Sequence, residues 1–154
     1  MPILEPLRAR PWFISFNNAF WAGDLYPRFS FDFWYGLGGL DFYFYAPMPF
    51  WFSSTVGQVT CPGCAPHTTF AVSGAWMVIL AGLSFFVFAR RFFSVPWAGF
   101  GGLLYAVLPY HYINDWYWRQ SSGEVLAAAI IPLLALSILR LSADKKGGAM
   151  FALC

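Results

Sequence analysis

The sequence has little charge, and this scarcity argues against an ordinary soluble domain. Only 10% of its 154 residues are Asp, Glu, Lys or Arg, whereas 59% are hydrophobic and 22% are aromatic. A soluble domain is about 25% charged, and a fold of this size cannot hide so much apolar surface from water. We therefore expect lipid to surround part of the chain.

Other absences remove further classes of function. The sequence has no basic run of the kind that follows a nucleic-acid backbone, so we expect no nucleic-acid partner. Its first residues, "MPILEPLRARPWF", lack the uninterrupted apolar core of a signal peptide. The glycine-rich stretches "YGLGGL" and "GFGGLL" lack the spacing of a nucleotide-binding loop.

Three windows of the sequence are apolar and free of charge, namely residues 70–89, 95–109 and 125–139. The first is about 30 Å long as a helix, which matches the hydrocarbon thickness of a bilayer. The other two reach this length with their flanking residues. Because the windows contain no ionisable residue, a channel or transporter is disfavoured. The sequence predicts an all-α integral membrane fold with a three-helix transmembrane region over residues 70–142.

Residues 1–69 are predicted to be an extracytoplasmic loop region. Within it, residues 47–60 are too short and too polar to span a bilayer, yet they include three consecutive aromatic side chains. We interpret this segment as an interfacial helix that lies on the membrane surface. Residues 143–154 are predicted to be a truncated cytoplasmic tail.

The charges that flank the three windows predict the orientation of the chain. Basic residues occur after the first and third windows, at Arg90, Arg91, Arg140, Lys145 and Lys146. The positive-inside rule places that side in the cytoplasm. The opposite, outer side then receives the acids Asp24, Asp32, Asp41, Asp115 and Glu124.

Cys61 and Cys64 form a CxxC pair in "CPGCAPH". This spacing occurs in redox sites, in half of a zinc site and in disulfides. A second CxxC is missing, so one chain cannot supply four thiolates, and we predict no metal site. Because the predicted topology places the pair in an oxidising compartment, a structural disulfide is favoured.

The outer loops hold the candidate binding residues. The first loop combines Asp24 and Arg28 with many aromatic rings, among them Tyr26 and Tyr43. Arginine has the best shape for gripping a phosphate with two hydrogen bonds. Aromatic rings can stack on a sugar or contact a lipid chain. The alternative is that these charges cap turns or join the loops.

The segments "GDLYPRF", "YGLGGLDFYFYAPMPF", "FARRFFS" and "LLYAVLPYHYINDWYWRQSSGEVLAAAIIPLLAL" resemble a family of bacterial multi-spanning membrane proteins labelled "6-pyruvoyl-tetrahydropterin synthase-related". The wider layout is similar to that of membrane glycosyltransferases of the GT-C class. This resemblance covers roughly residues 17–142. It implies transfer of a sugar from a polyprenyl-phosphate donor on the outer face of the bacterial inner membrane.

The resemblance also implies roles for individual residues. Asp24 matches the presumed catalytic base or metal-associated carboxylate of the class, and Arg119 and Glu124 match an Arg and a Glu of the second outer loop. A divalent metal would be compatible with such a site, although the sequence does not predict one. The family has a preceding span and many following ones, so the sequence is interpreted as an N-terminal fragment whose partners include the remaining helices. The alternative is a non-enzymatic scaffold or lipid-handling protein of envelope assembly.

Overall fold

The computed structural model describes residues 9–30, 37–110, 113 and 121–143. In these ranges every regular element is a helix, and extended pairing is confined to an isolated bridge between Ser30 and Gly39. The predicted all-α class is therefore confirmed for the described part of the chain. The predictions made for Asp32, Asp115, Arg119, Lys145 and Lys146 fall outside the described residues.

Six helices follow one another along the described chain. They are α1 (Ala9–Trp21), α2 (Asp41–Phe44), α3 (Met48–Thr60), α4 (Pro66–Ala89), α5 (Val95–Ala106) and α6 (Ser122–Ala143). Three of them have a proline in the first turn, since Pro49, Pro66 and Pro96 occupy the first or second helical position. Proline fits there, since its fixed φ is helical and its missing N–H has no partner in the first turn.

Two of the helices are long and apolar enough to cross a membrane, namely α4 and α6. With 24 and 22 residues, they extend about 36 and 33 Å, close to the hydrocarbon thickness of about 30 Å. The third predicted span is not confirmed. Its helix, α5, has 12 residues and extends only about 18 Å.

Helices α4 and α6 run in the same direction. Met77 packs against Val125 and Leu126, and one turn further along both helices Ala81 packs against Ala128 and Ala129. Helix α5 lies between α4 and α6 in the sequence. It runs in the opposite direction and packs on α4. The carboxyl ends of α4 and α6, with Arg90, Arg91 and Arg140, consequently lie at one end of the bundle.

The inside of the bundle is lined by small side chains, and many large apolar ones are outside. Ser53, Ser73, Gly74 and Ala98 are buried. The large exposed side chains of α4 to α6 include Trp76, Ile79, Leu83, Trp97, Phe100, Leu103, Ile131, Leu134 and Ile138. Small residues at helix contacts with large apolar residues facing outward are typical of helices packed within lipid.

A separate aromatic core joins α1 and α2 to the bundle. The rings of Phe16, Phe42 and Phe50 lie 5.3 to 5.4 Å apart in pairs, and the rings of Phe13 and Phe70 lie 5.0 Å apart. All five side chains are buried. Such aromatic pairs contribute beyond the area that they bury, so this core fixes the segment between α1 and α3 against α4.

The helix predicted within residues 47–60 is present as α3, Met48–Thr60. Its location at a membrane surface stays a prediction. It packs along the first half of α4. A Cβ added to Gly57 would lie 2.7 Å from the carbonyl oxygen of Thr69. A Cβ added to Gly123 would lie 3.7 Å from Cγ of Pro49, so the starts of α3 and α6 are neighbours.

Candidate functional site

The predicted site residues Asp24, Tyr26 and Arg28 lie in the segment that follows α1. Gly23 has φ +105°, a conformation that L side chains rarely adopt, and this residue turns the chain away from the helix axis. The N–H of Asp24 then donates to the carbonyl of Ala19 at 3.0 Å. The segment is thus held against the last turn of α1.

Two reciprocal backbone hydrogen bonds close the loop that separates Arg28 from Tyr43. The N–H of Ser30 donates to the carbonyl of Gly39, and the N–H of Gly39 donates to the carbonyl of Ser30, both at 2.9 Å. Soon after this bridge, Phe42 of α2 enters the aromatic core. The bridge and this buried ring together bring Tyr43 back to Arg28.

The guanidinium group of Arg28 contacts two tyrosine rings. Its central carbon lies 5.2 Å from the centre of the Tyr26 ring and 5.7 Å from the centre of the Tyr43 ring. A cation at this distance from an aromatic face is attracted by the ring quadrupole. Three of the predicted substrate-binding residues are therefore brought together.

Trp51 of α3 connects this group to the helical bundle. Its indole Nε1–H donates to the carbonyl of Leu25 at 2.6 Å, and its ring centre lies 5.9 Å from that of Tyr26. We call Tyr26, Arg28, Tyr43 and Trp51 the Arg28 cluster. Trp51 was not among the predicted binding residues, although its position in an aromatic run before a polar stretch is typical of a ring with an apolar body and a hydrogen-bonding N–H.

Arg28 keeps its hydrogen-bonding capacity. The side chain is exposed, and within the described ranges it makes no hydrogen bond or ion pair. A guanidinium group presents five N–H donors in a planar fork. The Arg28 cluster can therefore offer several donors to one anion while the tyrosine rings orient the fork.

Asp24 has a local role in the structure. Its Oδ1 accepts a hydrogen bond from the N–H of Tyr26 at 3.1 Å. This is the turn that short acidic side chains form with the backbone two residues further on. No ion pair joins Asp24 to Arg28 in the part of the chain that the structure describes. The carboxylate is exposed, so the turn leaves its second oxygen accessible.

The residues predicted from the second loop are only partly described. Arg119 lies outside the described residues. Glu124 lies in the first turn of α6, where its N–H donates to the carbonyl of Ser121 at 3.0 Å. An acid in this position interacts favourably with the helix dipole. The neighbouring Gly123 adjoins Pro49, so Glu124 lies at the end of the bundle where α3 begins.

Cys61 and Cys64 are joined by a disulfide, with their Cα atoms 5.6 Å apart. The pair closes the turn between α3 and α4. Gly63, with φ +76°, allows the tight bend between the two cysteines. Within the described ranges, no group of three or more His, Cys, Asp or Glu side chains is arranged to hold a metal ion.

Helix α1 was not predicted from the sequence. Its buried or partly buried rings, Trp12, Phe13, Phe16 and Phe20, recur at helical spacing. This pattern was available in the sequence.

A comparison with protein-family models, curated proteins and solved structures finds no match to this chain.

Proposed function

We propose that the chain is the N-terminal part of a GT-C-like integral membrane glycosyltransferase of the bacterial inner membrane. It transfers a sugar from a polyprenyl-phosphate donor on the outer face. In this proposal α4 and α6 are spans, residues 95–109 contribute a third, and α3 lies at the outer interface. The Arg28 cluster binds the phosphate of the donor.

The burial pattern of the long helices supports the membrane location. Only 39% of the most apolar window of α4 and 33% of that of α6 are buried. The core helix of a soluble protein would be mostly buried. Exposing this much apolar surface to water would be costly, whereas in lipid it costs nothing.

The distribution of charge supports the orientation. Arg90, Arg91 and Arg140 lie at the end of the bundle where α4 and α6 finish. Glu124 lies at the opposite end, and Asp24 precedes Leu25, which is bonded to the start of α3. Basic residues on one side agree with a cytoplasmic location of that side.

The geometry of Arg28 is the observation that best supports binding of the donor. Its guanidinium group is held beside two exposed tyrosine rings and makes no hydrogen bond to the described residues. Phosphate accepts paired hydrogen bonds from guanidinium, and the rings of Tyr26 and Tyr43 offer apolar faces to a sugar or a prenyl chain. Glycosyl transfer then requires a positioned acceptor and stabilisation of the departing phosphate.

Binding of a defined donor analogue tests the proposal. The probes are decaprenyl monophosphate and decaprenol, added to the purified chain in detergent micelles and measured by native mass spectrometry. We expect the phosphate to bind more tightly and Arg28→Gln to weaken it by about tenfold or more, because a hydrogen bond to a charged group contributes about 1.5–3 kcal/mol. Arg140→Gln, at the other end of the bundle, is the control. Equal binding of both probes, or unchanged binding by Arg28→Gln, contradicts the proposed donor site.

Reporter fusions test the orientation separately. Alkaline phosphatase inserted after Thr60 within the otherwise intact chain is expected to be active, and the same enzyme inserted after Ser94 is expected to be inactive. Green fluorescent protein at the two positions should give the reverse result. Reporters that place both positions on one side would contradict α4 as a span.

A second candidate function has its own supporting observation. The bond from Tyr26 N–H to Asp24 Oδ1 gives Asp24 a structural role that needs no catalysis. A scaffold or lipid-handling protein of envelope assembly would require the Arg28 cluster to bind a lipid phosphate without transferring a sugar. Formation of a glycan product distinguishes the two functions.

A further inference from the structure

A second candidate binding site lies at the opposite end of the bundle from the Arg28 cluster. The turn between α4 and α5 borders a groove of about 480 Å³, which is within the range of about 300–1,000 Å³ of small-molecule sites. The groove is lined by Phe85, Ala89, Phe93, Trp97, Phe100 and Gly101. It contains no charged side chain, so its occupant must be apolar where it contacts these residues.

Two arginines adjoin this apolar groove. Arg90 and Arg91 lie in the turn between Ala89 and Phe93, both of which line the groove. Both arginines are exposed, and Arg90 lies 5.9 Å from the Phe86 ring. Neither makes an ion pair with a carboxylate in the part of the chain that the structure describes.

The combination selects one class of ligand. An apolar groove accommodates a hydrocarbon chain, and two arginines that have no carboxylate partner among the described residues attract an anion. An anionic phospholipid supplies both in one molecule, whereas a zwitterionic lipid supplies the chain without net negative charge. Basic clusters at the cytoplasmic ends of spans recognise anionic headgroups in this way.

We infer that an anionic phospholipid binds at the turn between α4 and α5, with its phosphate at Arg90 and Arg91 and one acyl chain along the groove. This inference rests on the membrane location in the proposed function and is independent of sugar transfer. The site would anchor the start of α5 to the inner leaflet. A further helix or a second copy of the chain in the groove would exclude the lipid.

Retention on membranes is measured first, so that failure of the inference can be separated from failure of the proposed location. The chain is mixed with phosphatidylcholine vesicles, washed with carbonate and floated. If it does not float, the membrane location is wrong and the lipid site falls with it. If it floats, the lipid site is tested by native mass spectrometry with equal amounts of dioleoyl phosphatidylglycerol and dioleoyl phosphatidylcholine.

The variants then separate headgroup recognition from binding of the acyl chain. We expect phosphatidylglycerol to be retained about fivefold or more over phosphatidylcholine, since each arginine near an anionic headgroup favours it by about that factor. The double variant Arg90→Gln/Arg91→Gln should lose the preference, while Arg140→Gln at the same end of the bundle should keep it. An equal retention of both lipids, or a preference that survives the double variant, overturns the inference.

Substitution of Trp97, which lines the groove, tests where the acyl chain binds. It is exposed over 70% of its surface, so Trp97→Ala should leave the core intact. A phosphatidylglycerol with a diazirine on its acyl chain is expected to label the peptide that contains Phe93 and Trp97, and the labelling should fall in Trp97→Ala. Labelling spread evenly over α4 and α6, or a cross-linked dimer in place of labelled lipid, overturns the groove as the acyl site.

Discussion

Gly82 and Gly102 face each other where α5 packs on α4. A Cβ added to Gly102 would lie 2.8 Å from the carbonyl oxygen of Gly82, and one added to Gly82 would lie 3.1 Å from the carbonyl oxygen of Gly102. Real Cβ atoms are essentially never found as close as 2.8 Å to another heavy atom. The two backbones can approach this closely only because neither residue has a side chain, as at small-residue contacts within membranes.

Gly102→Leu is therefore expected to separate α5 from α4. Overpacking of a close contact costs about 1–3 kcal/mol, which should appear as a lower unfolding temperature in detergent. Gly99→Leu is the matched control, since a Cβ at Gly99 meets nothing within 4 Å. If both variants unfold at the same temperature, the contact between the two glycines does not determine the packing of α5.

A second close approach predicts the behaviour of α3. Gly57→Ala would place a Cβ 2.6 Å from Cγ2 and 2.7 Å from the carbonyl oxygen of Thr69. Since the carbonyl belongs to the backbone of α4, the helices must shift, and we expect destabilisation by about 1–3 kcal/mol. Gly123→Ala is the comparison, because its Cβ would lie at an ordinary 3.7 Å from Pro49. Equal stability of the two variants would contradict tight packing of α3 on α4.

The bond from Trp51 to Leu25 predicts how the Arg28 cluster is held. Trp51→Phe keeps an aromatic ring beside Tyr26 but removes the donor at 2.6 Å. The loss of one hydrogen bond should cost about 0.5–1.5 kcal/mol and should speed exchange of the amide hydrogens around Leu25. Trp76→Phe is the control, with similar exposure of 39% against 38%. Unchanged amide exchange in Trp51→Phe would show that the loop is fixed by other contacts.

The sequence predicted the elements whose cause is local. The apolar lengths of α4 and α6 and the three consecutive aromatic residues in a short, polar segment of α3 were sufficient to find these helices. Helix α5 ends at Ala106, earlier than the apolar window does. Pro109 disfavours a helical conformation for the residue before it. The predicted span nevertheless extended to Pro109 because the whole window is apolar.

The Arg28 cluster depends on contacts that no local pattern specifies. Arg28 and Tyr43 meet because Ser30 pairs with Gly39 and because Phe42 reaches the aromatic core. The pairing and the core join residues that are distant in the sequence. Residue types could therefore suggest Arg28 and Tyr43 as members of one site, but they could not predict their distance or the part played by Trp51.

The ring of Tyr43 beside Arg28 predicts a graded response to substitution. Tyr43→Phe keeps the ring that faces the guanidinium group, whereas Tyr43→Ser removes it. An exposed cation–π contact contributes about 0.5–1 kcal/mol. We thus expect Tyr43→Ser to weaken binding of decaprenyl monophosphate by about two- to fivefold and Tyr43→Phe to leave it nearly unchanged. A loss of the same size in both variants would indicate that the hydroxyl group, rather than the ring, contributes to binding.

Two substitutions of Asp24 distinguish its structural role from the proposed catalytic one. Asp24→Asn keeps an oxygen that accepts the N–H of Tyr26, but it removes the negative charge and the capacity of a general base. Asp24→Ala removes the oxygen as well. The turn should therefore persist in the first variant and weaken by about 0.5–1.5 kcal/mol in the second.

The two roles predict different patterns of product formation. If Asp24 is the base, both variants of the proposed glycosyltransferase should lose at least about 99% of glycan product, since general base catalysis contributes about 10²–10⁴-fold. If Asp24 only forms the turn, Asp24→Asn should retain product and Asp24→Ala should lose a smaller part of it. Membrane insertion and the amide exchange of Tyr26 are measured in parallel. Full product from a well-inserted Asp24→Asn protein would contradict the catalytic role and favour the turn that the structure contains.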